Sequence, residues 1–510
     1  MNLRPLFLEE PLLEFGSGQT LEHPQDGLFL YGPVRAGGAA NAIHVGVIGA
    51  RAGVALVRAW LAKINGRIPV LDPTKLHTNA WPGFQAAFGV RLVEKPMVTI
   101  CVPSDRIGDA LGRTNKVDAV RSTVKLFEDA ILEHLRTDER RPDVWLVVVP
   151  ESVFRYGRPE VAAPKDAIRS TLMSKKTASG FLKGGGALFP DMAEEAETYL
   201  FARNFHHQLK SQLLDRDAVI QVIRETTLDP AIETDRLGRP VRSVQEPAKI
   251  AWNLSTTLYF KGARSQPWRL AQVRPGVCYV GLVFKIDPSP AQVGEACCAA
   301  QMFLDSGDGV VFRGALGPWY SSKNREFHLR PDAAEALIRQ VIEAYTKEHG
   351  APPKELFIHG RQRFSKDEWD GFCAAIPAET ERFVGVRIRP TQDLRLFRAD
   401  GPFPVLRGSA VLASHREGYL WTTGYAPRLR VYPGFETPKP ILIEITHSRG
   451  GADLETVMRD VLGLTKVNYN ACDYASGLPV TLKFADRVGE ILLASPRGRE
   501  APPLPFRFYI

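Results

Sequence analysis

The stretch IHVGVIG, residues 43–49, decides the reading of the fold. It is short, almost wholly apolar and rich in β-branched residues. That pattern reads as a strand buried on both faces. Val54, Leu56, Val57 and Leu61 follow at helical spacing, so the strand passes into a helix. Further on, Val117, Val120, Val124, Phe127, Ile131 and Leu135 recur three and four apart and mark one face of another helix. The run VWLVVV (144–149) is a second buried strand, ended by Pro150. Buried strands alternating with helices imply a parallel sheet with crossover connections, a Rossmann-like α/β unit.

Before this unit, residues 1–40 are rich in Gly and Pro and read as an irregular extension packing on the core. Within it, residues 157–192 break the rhythm and read as a surface insertion. Lys183 with Gly184–Gly186 lacks the Lys-Ser or Lys-Thr that a P-loop needs, and the glycines of 46–53 do not fit a dinucleotide fingerprint. From about residue 273 the chain becomes rich in strands. CYVGLVF (278–284) is followed by MFLDSGDGVVFRG (302–314), two strands joined by a Gly-bearing turn. A helix runs from Pro331 through Leu337, Val341 and Tyr345 to Gly350. ELFIHG, FVGVRI, DLRLFR, SAVLAS and ILIEIT read as further strands, with closing helices from Asp453 and Leu478. This is the order of an RNase H-like domain. The expected organisation is an extension (1–40), a Rossmann-like domain (41–272) and an RNase H-like domain (273–510).

The 510 residues exceed one ordinary core, which agrees with several domains. Lys and Arg outnumber Asp and Glu by 65 to 57, a net charge of +8. That suits a nucleic-acid partner and equally a basic soluble enzyme. The six cysteines, Cys101, Cys278, Cys297, Cys298, Cys373 and Cys472, have no metal-ligand spacing and read as reduced, buried thiols. The N-terminal MNLRPLFLEEPLLEFG carries acids where a signal peptide needs an apolar run, and no segment is apolar enough to span a bilayer. A cytoplasmic protein without membrane partners is expected.

The densest chemistry lies in FARNFHHQLKSQLL (201–214). His206 and Lys210 are four apart and share a helix face. Gln221 follows on AVIQVI, a strand. Asn253, Thr257 and Lys261 are each four apart on a second helix, IAWNLSTTLYFKG (250–262). Two such stripes can converge on a terminal phosphate, whose oxygens accept several charge-assisted hydrogen bonds. On spacing alone, a solvated helix face ranks above this reading.

The order His206, Lys210, Gln221, Lys261 resembles the MID-domain pocket of Argonaute proteins. FLEEPLLEFGSG, GLFLYGP, VCYVGLVFK, ACCAAQMFLDSGDG, GPWYSSKN, ELFIHGRQRF, GYLWTTGY, LTKVNYNAC and LPVTLKFADRVGEIL all look like the short prokaryotic Argonautes, MID–PIWI proteins without N and PAZ domains. The similarity is closest to the Argonaute subunit of TIR-APAZ defence systems. It implies that His206, Lys210, Gln221, Lys261 and Asn253 hold the 5′-phosphate of a guide, with the carboxylate of Ile510 and a Mg²⁺ ion. The 40-residue interval from Gln221 to Lys261 departs from compact MID domains, and DPAIETDRLGRPVRSVQEP (229–247) accounts for it as a loop.

Active PIWI domains hold two metal ions on carboxylates. The resemblance places those ligands at Val283, at Gly360 and Arg361, and near Lys466, none of them acidic. Asp287, Asp305, Asp308 and Glu444 remain, explained by turns and by a solvent-facing strand position. His359 reads as a structural histidine. The chain is therefore expected not to cut. The resemblance implies a sensor: guide RNA pairs with invader single-stranded DNA, and an APAZ partner carrying TIR, or alternatively SIR2 or a nuclease, responds. With TIR, a heterodimer oligomerises on target binding and the partner hydrolyses NAD. An active guided nuclease and a Rossmann-type small-molecule enzyme are the rival readings.

Overall fold

The computed structural model describes residues 3–34, 41–74, 78–162, 204–286, 296–304, 310–316, 319–321, 326–432, 434, 436–494 and 504–510. Most of the segment read as an insertion, including Lys183 and Gly184–Gly186, lies outside them, as do Asp287, Asp305 and Asp308.

The N-terminal segment is more ordered than its composition suggests. It holds strand β1 (Arg4–Phe7) and helix α1 (Pro24–Tyr31). Then come β2 (Val45–Gly49), α2 (Arg51–Asn65), β3 (Val98–Cys101), α3 (Lys116–Thr137), β4 (Val144–Val149), α4 (Glu151–Tyr156), α5 (Phe205–Leu213), β5 (Ile220–Arg224) and α6 (Pro247–Gly262). Strands β3-β2-β4-β5 form a parallel sheet in that order. Alternation along the strands explains their unbroken apolarity. Val45, Val47, Val144, Leu146 and Val148 pack toward α2, while Ile48, Trp145, Val147 and Val149 pack toward α3. Each buried side chain of this kind contributes about 1.5–3 kcal/mol relative to exposure. The α3 helix starts where Asn115 caps Val117 and Asp118 through its side-chain oxygen.

The second half contributes β6 (Val277–Ile286), β7 (Ala296–Leu304), β8 (Val310–Leu316), α7 (Pro331–His349), β9 (Glu355–Gly360), α8 (Lys366–Ala374), β10 (Arg382–Pro390), β11 (Ser409–Leu412), β12 (Glu417–Leu420), β13 (Ile441–Arg449), α9 (Leu454–Leu464), α10 (Val480–Lys483), α11 (Ala485–Leu493) and β14 (Leu504–Pro505). They form one ten-stranded sheet, ordered β1-β11-β12-β13-β10-β9-β6-β7-β8-β14. The antiparallel β6–β7–β8 meander next to parallel β9 and β10 is the RNase H-like core. The N-terminal β1 closes one edge of this sheet by pairing antiparallel with β11.

Two expectations are corrected here. DLRLFR (393–398) is not a strand. Asp393 turns the chain by bonding Thr391, and Leu394 and Leu396 pack beside Val405, Val411 and Trp421 without joining a ladder. Among the cysteines, Cys278 and Cys472 are buried free thiols, but Cys101 is exposed. No described helix is long and apolar enough to cross a membrane.

Helix α10 lies close against β6 because residue 281 has no side chain. A Cβ built there would stand 1.9 Å from the Thr481 carbonyl oxygen. Gly281→Ala is therefore expected to destabilise the second half by about 1–3 kcal/mol, the range for overpacking, and denaturant unfolding measures it.

Candidate anion-binding site

Helix α5 is planted by its apolar face. Leu209 and Leu213 are buried, and the Phe205 ring meets Phe127 edge-on at 5.2 Å. The Phe205 N–H donates to the Gly157 carbonyl at 2.9 Å, which fixes the start of α5 against the end of α4. This turns His206 and Lys210 toward a cavity of about 340 Å³ beyond the end of β4. Gln221 of β5 lines it too, as do Tyr509 and Ile510, the last residues of the sequence. Those residues arrive from the other sheet. Strand β14 pairs with β8, and a single turn over Phe506–Phe508 delivers a buried Ile510.

Lysine geometry organises the cavity. Lys210 Nζ donates to Ile510 O at 2.6 Å and to Tyr509 O at 3.2 Å. Lys261, on α6, has no exposed surface. Its Nζ donates to Ile220 O at 3.0 Å, to Gln221 Oε1 at 2.7 Å and also to Ile510 O. Lys210, Gln221, Lys261 and Ile510, chosen from sequence, thus meet at one place. His206 stands at the rim, its ring 3.8 Å from that of His207.

Asn253 does not join them. It lies eight residues before Lys261, about 12 Å along the helix axis. Its amide donates to Gln245 Oε1 at 3.1 Å, and its Oδ1 accepts from the Cys472 N–H at 2.9 Å. A shared helix face put it in register with Lys261 but too far away to reach the cavity.

Three cations lining the cavity went unrecognised in the sequence: Arg158, Arg224 and Arg487. Arg224 pairs with Glu151 and lies 3.6 Å over the Phe154 ring, which Arg158 approaches at 4.4 Å. Arg487 comes from α11, and no local pattern marks it as a site residue. Among the described residues, no Asp or Glu side chain lines the cavity.

This positive, partly dry setting disfavours further positive charge. Burial, then Arg487, lowers Lys210 to a pKa of about 7. Burial, then Lys210, holds Lys261 well below the ordinary lysine range. Loss of hydration, then Lys210, Arg487 and Arg158, lowers the rim residue His206 to a pKa of about 4 and keeps it neutral. An anion entering the cavity would reverse these shifts.

The pH dependence follows. Free Lys210 is half charged near pH 7, and a bound dianion favours its ammonium form. Phosphomonoester affinity is expected to fall as pH rises above 7, by up to about tenfold per unit for one linked proton. Titration calorimetry with inorganic phosphate between pH 6.5 and 9 measures this. The stability of the empty protein moves oppositely. Unfolded lysine keeps its proton to about pH 10.4, so the Lys210 contribution to stability rises with pH between about 7 and 10.

Magnesium takes one or two protein oxygens and completes its shell with water and phosphate. Ile510 O and Gln221 Oε1 are oxygens of the right kind, and each accepts from a lysine. A cation held by Ile510 and a phosphate fits this donor set, in competition with the lysines. The described residues contain no cluster of three His, Cys, Asp or Glu side chains able to hold a metal.

The positions of PIWI-type metal ligands lie elsewhere. Parallel pairing sets Gly281 beside His359, so Val283 of β6 lies level with Arg361, just past the end of β9. Lys466 is not near them. It is buried, donates to Glu10 Oε1 at 2.6 Å and lies 4.1 Å over the Tyr474 ring. The element that packs there is α10, whose Thr481 hydroxyl is 3.0 Å from His359 Nδ1. Burial lowers His359 to a pKa of about 3, which makes it a neutral core histidine. Glu444 does not face solvent freely: it pairs with Arg363 at 2.7 Å and Arg387 at 3.3 Å.

No protein-family model matches the sequence, and comparison with curated proteins finds no match. Solved structures do match. Clostridium butyricum Argonaute, bound to a guide DNA and a 19-mer target DNA, aligns over 100% of this chain and 55% of its own, with a TM-score of 0.60 and 15% identity. A. aeolicus Argonaute aligns over 99% and 55%, with a TM-score of 0.56 and 14% identity. Drosophila Piwi aligns over 99% and 56%, with a TM-score of 0.55 and 13% identity. This chain spans about half the length of the structures it matches. It carries the mixed α/β MID–PIWI fold of the Argonaute and Piwi proteins.

Proposed function

We propose that the chain binds the 5′-phosphorylated end of a guide strand and displays it for pairing with a target. One observation carries this reading. Lys210, Gln221 and the Ile510 oxygen meet in a cavity to which no described residue contributes an acidic side chain, and the buried Lys261 bonds both Gln221 and Ile510. A phosphomonoester suits that cavity in size, charge and number of acceptors. The matched Clostridium butyricum protein, by its description, holds guide and target DNA. A Mg²⁺ ion, held by Ile510 and the phosphate, would offset part of the phosphate charge.

In this reading the guide is RNA and the target is single-stranded DNA of an invading element. Base pairing reads the sequence, while the protein reads backbone and shape. The chain is a sensor rather than a nuclease. Gly360 and Arg361 at the end of β9, and Thr481 beside it, support this because none is a carboxylate. Its output comes from a cytoplasmic APAZ partner, TIR in preference to SIR2. Target binding drives assembly of the heterodimers and hydrolysis of NAD by the partner, in defence against plasmids or phage.

The test compares guides of one sequence with a 5′-phosphate or a 5′-hydroxyl, in Mg²⁺ and in EDTA. The phosphate is expected to tighten binding at least about tenfold, equivalent to about 1.4 kcal/mol. Equal affinities would remove the reading. Loss of affinity in EDTA, for the phosphorylated guide only, would support the cation. Cleavage of a matched target in Mg²⁺ or Mn²⁺ would replace the sensor with a nuclease.

A further inference from the structure

The loop between Gln221 and Lys261 carries an ordered hairpin turn. The Val241 N–H donates to Glu233 O at 3.1 Å, the Asp235 N–H donates to Arg239 O at 2.7 Å, and Thr234 pairs with Pro240. Asp235 fixes the tip. Its Oδ1 accepts the Leu237 N–H at 2.8 Å and the Arg239 N–H at 3.0 Å, while Oδ2 takes the Arg239 guanidinium at 2.8 Å. Gly238 completes the turn at φ 73°, which a side chain would disfavour. What this scaffold presents is Leu237, 74% exposed, next to Arg236. Arg239 is neutralised by Asp235, whereas Arg236 makes no ion pair among the described residues.

The hairpin is tied to the cavity by a short chain of contacts. Arg242 at its base donates to Thr226 Oγ1 at 2.8 Å and also to Thr227. Thr226 donates to Glu151 at 2.9 Å, and Glu151 holds Arg224. Arg224 and the Phe154 beneath it line the cavity. The base of the hairpin is therefore tied to residues that line the site where the guide's 5′ end is proposed to sit, and the tip extends from that base. An unpaired arginine with an apolar side chain matches the end of a nucleic-acid duplex. Such an end offers a phosphate backbone and the flat apolar face of its last base.

We infer that Arg236 and Leu237 contact the target strand where it passes the guide's 5′ end, as a cap on that end of the duplex. This rests on the guide-binding reading and adds a residue-level determinant of target recognition. Arg236 neutralises a target phosphate, and Leu237 covers the terminal base face. The occupant is nucleic acid rather than protein because the cavity to which the hairpin's base is tied is lined by Arg158, Lys210, Arg224 and Arg487, with no acidic side chain among the described residues.

The test uses the full chain loaded with a 5′-phosphorylated guide. Two labelled targets are compared, one ending opposite guide nucleotide 2 and one running three nucleotides past the guide's 5′ end. The wild-type protein is expected to hold the longer target at least threefold tighter. Arg236→Glu/Leu237→Asp is expected to abolish that difference, with guide affinity changed less than twofold. Leu237→Ser alone, at an exposed position, is expected to reduce it, and serves if the double variant folds poorly. A difference retained in the variants overturns the inference, as does a wild-type protein indifferent to target length. Loss of guide affinity in the variants also overturns it, since the hairpin would then touch the guide. Absence of phosphate dependence in guide loading is the separate result that removes the guide-site reading itself.

Discussion

Lys261→Met is expected to abolish most of the preference for a 5′-phosphorylated guide and to leave a 5′-hydroxyl guide almost unaffected. Lys261 is fully buried and bonds the cavity residues Gln221 and Ile510, holding Gln221 Oε1, Ile220 O and Ile510 O with one side-chain nitrogen. Methionine keeps the stem and removes the charge. One charge-assisted hydrogen bond contributes about 1.5–3 kcal/mol, which corresponds to about ten- to hundredfold in affinity when it positions the groups that receive the phosphate. The real loss should lie at the upper end, because Ile510 and Gln221 lose the group that positions them. Filter binding with the two guides measures it. An unchanged phosphate preference in a folded variant would show that the phosphate sits elsewhere. Lys210→Met should behave similarly with a smaller effect, since Lys210 is only partly enclosed.

The second large effect concerns stability. Glu10→Gln is expected to cost about 3–5 kcal/mol, the range for breaking a buried ion pair from one side. Glu10 joins the N-terminal segment to two buried cations. Its Oε1 accepts from Lys466 at 2.6 Å, and its Oε2 accepts from Arg407 Nε at 2.9 Å. Arg407 also donates to Thr465 Oγ1 at 2.7 Å. Substitution leaves Lys466 and Arg407 charged, buried and without their counter-ion. Burial by itself would raise the pKa of Glu10, but Arg407 and Lys466 outweigh it and hold it below 4.5. This contribution is therefore complete above about pH 4.5 and is lost as pH falls through the lower, folded value. Urea denaturation at pH 7, compared between wild type and variant, reads the loss. A variant as stable as wild type would mean that solvent already screens this cluster.

Local pattern was enough for most elements because their physics is local. The strands at 43–49 and 144–149 are apolar on both faces, and the α3 stripe repeats at helical period, so burial and period together identify them. It failed where tertiary context substitutes for local signal. Arg4–Phe7 has only four residues and gains its ladder from β11, so nothing within residues 1–40 marks it as a strand. Leu394 and Leu396 alternate like a strand but find their burial against Trp421 without a pairing partner. Lys466 was placed by its position in the chain, whereas the element packed on β6 and β9 is α10, reached only through the fold.

The candidate site divides in the same way. Sequence alone determined that His206 and Lys210 share a face, that Gln221 lies on a strand, and that an apolar, aromatic C-terminal stretch ends at Ile510. Only the tertiary structure decided that Lys210, Lys261 and Ile510 meet, since their contacts span 249 to 300 residues of chain. It also decided that Asn253 is excluded and that Arg158 and Arg487 are included. The physical reason is reach. Periodicity sets which way a side chain points within one element, but the spacing between elements depends on the packing of two sheets, which no local pattern records.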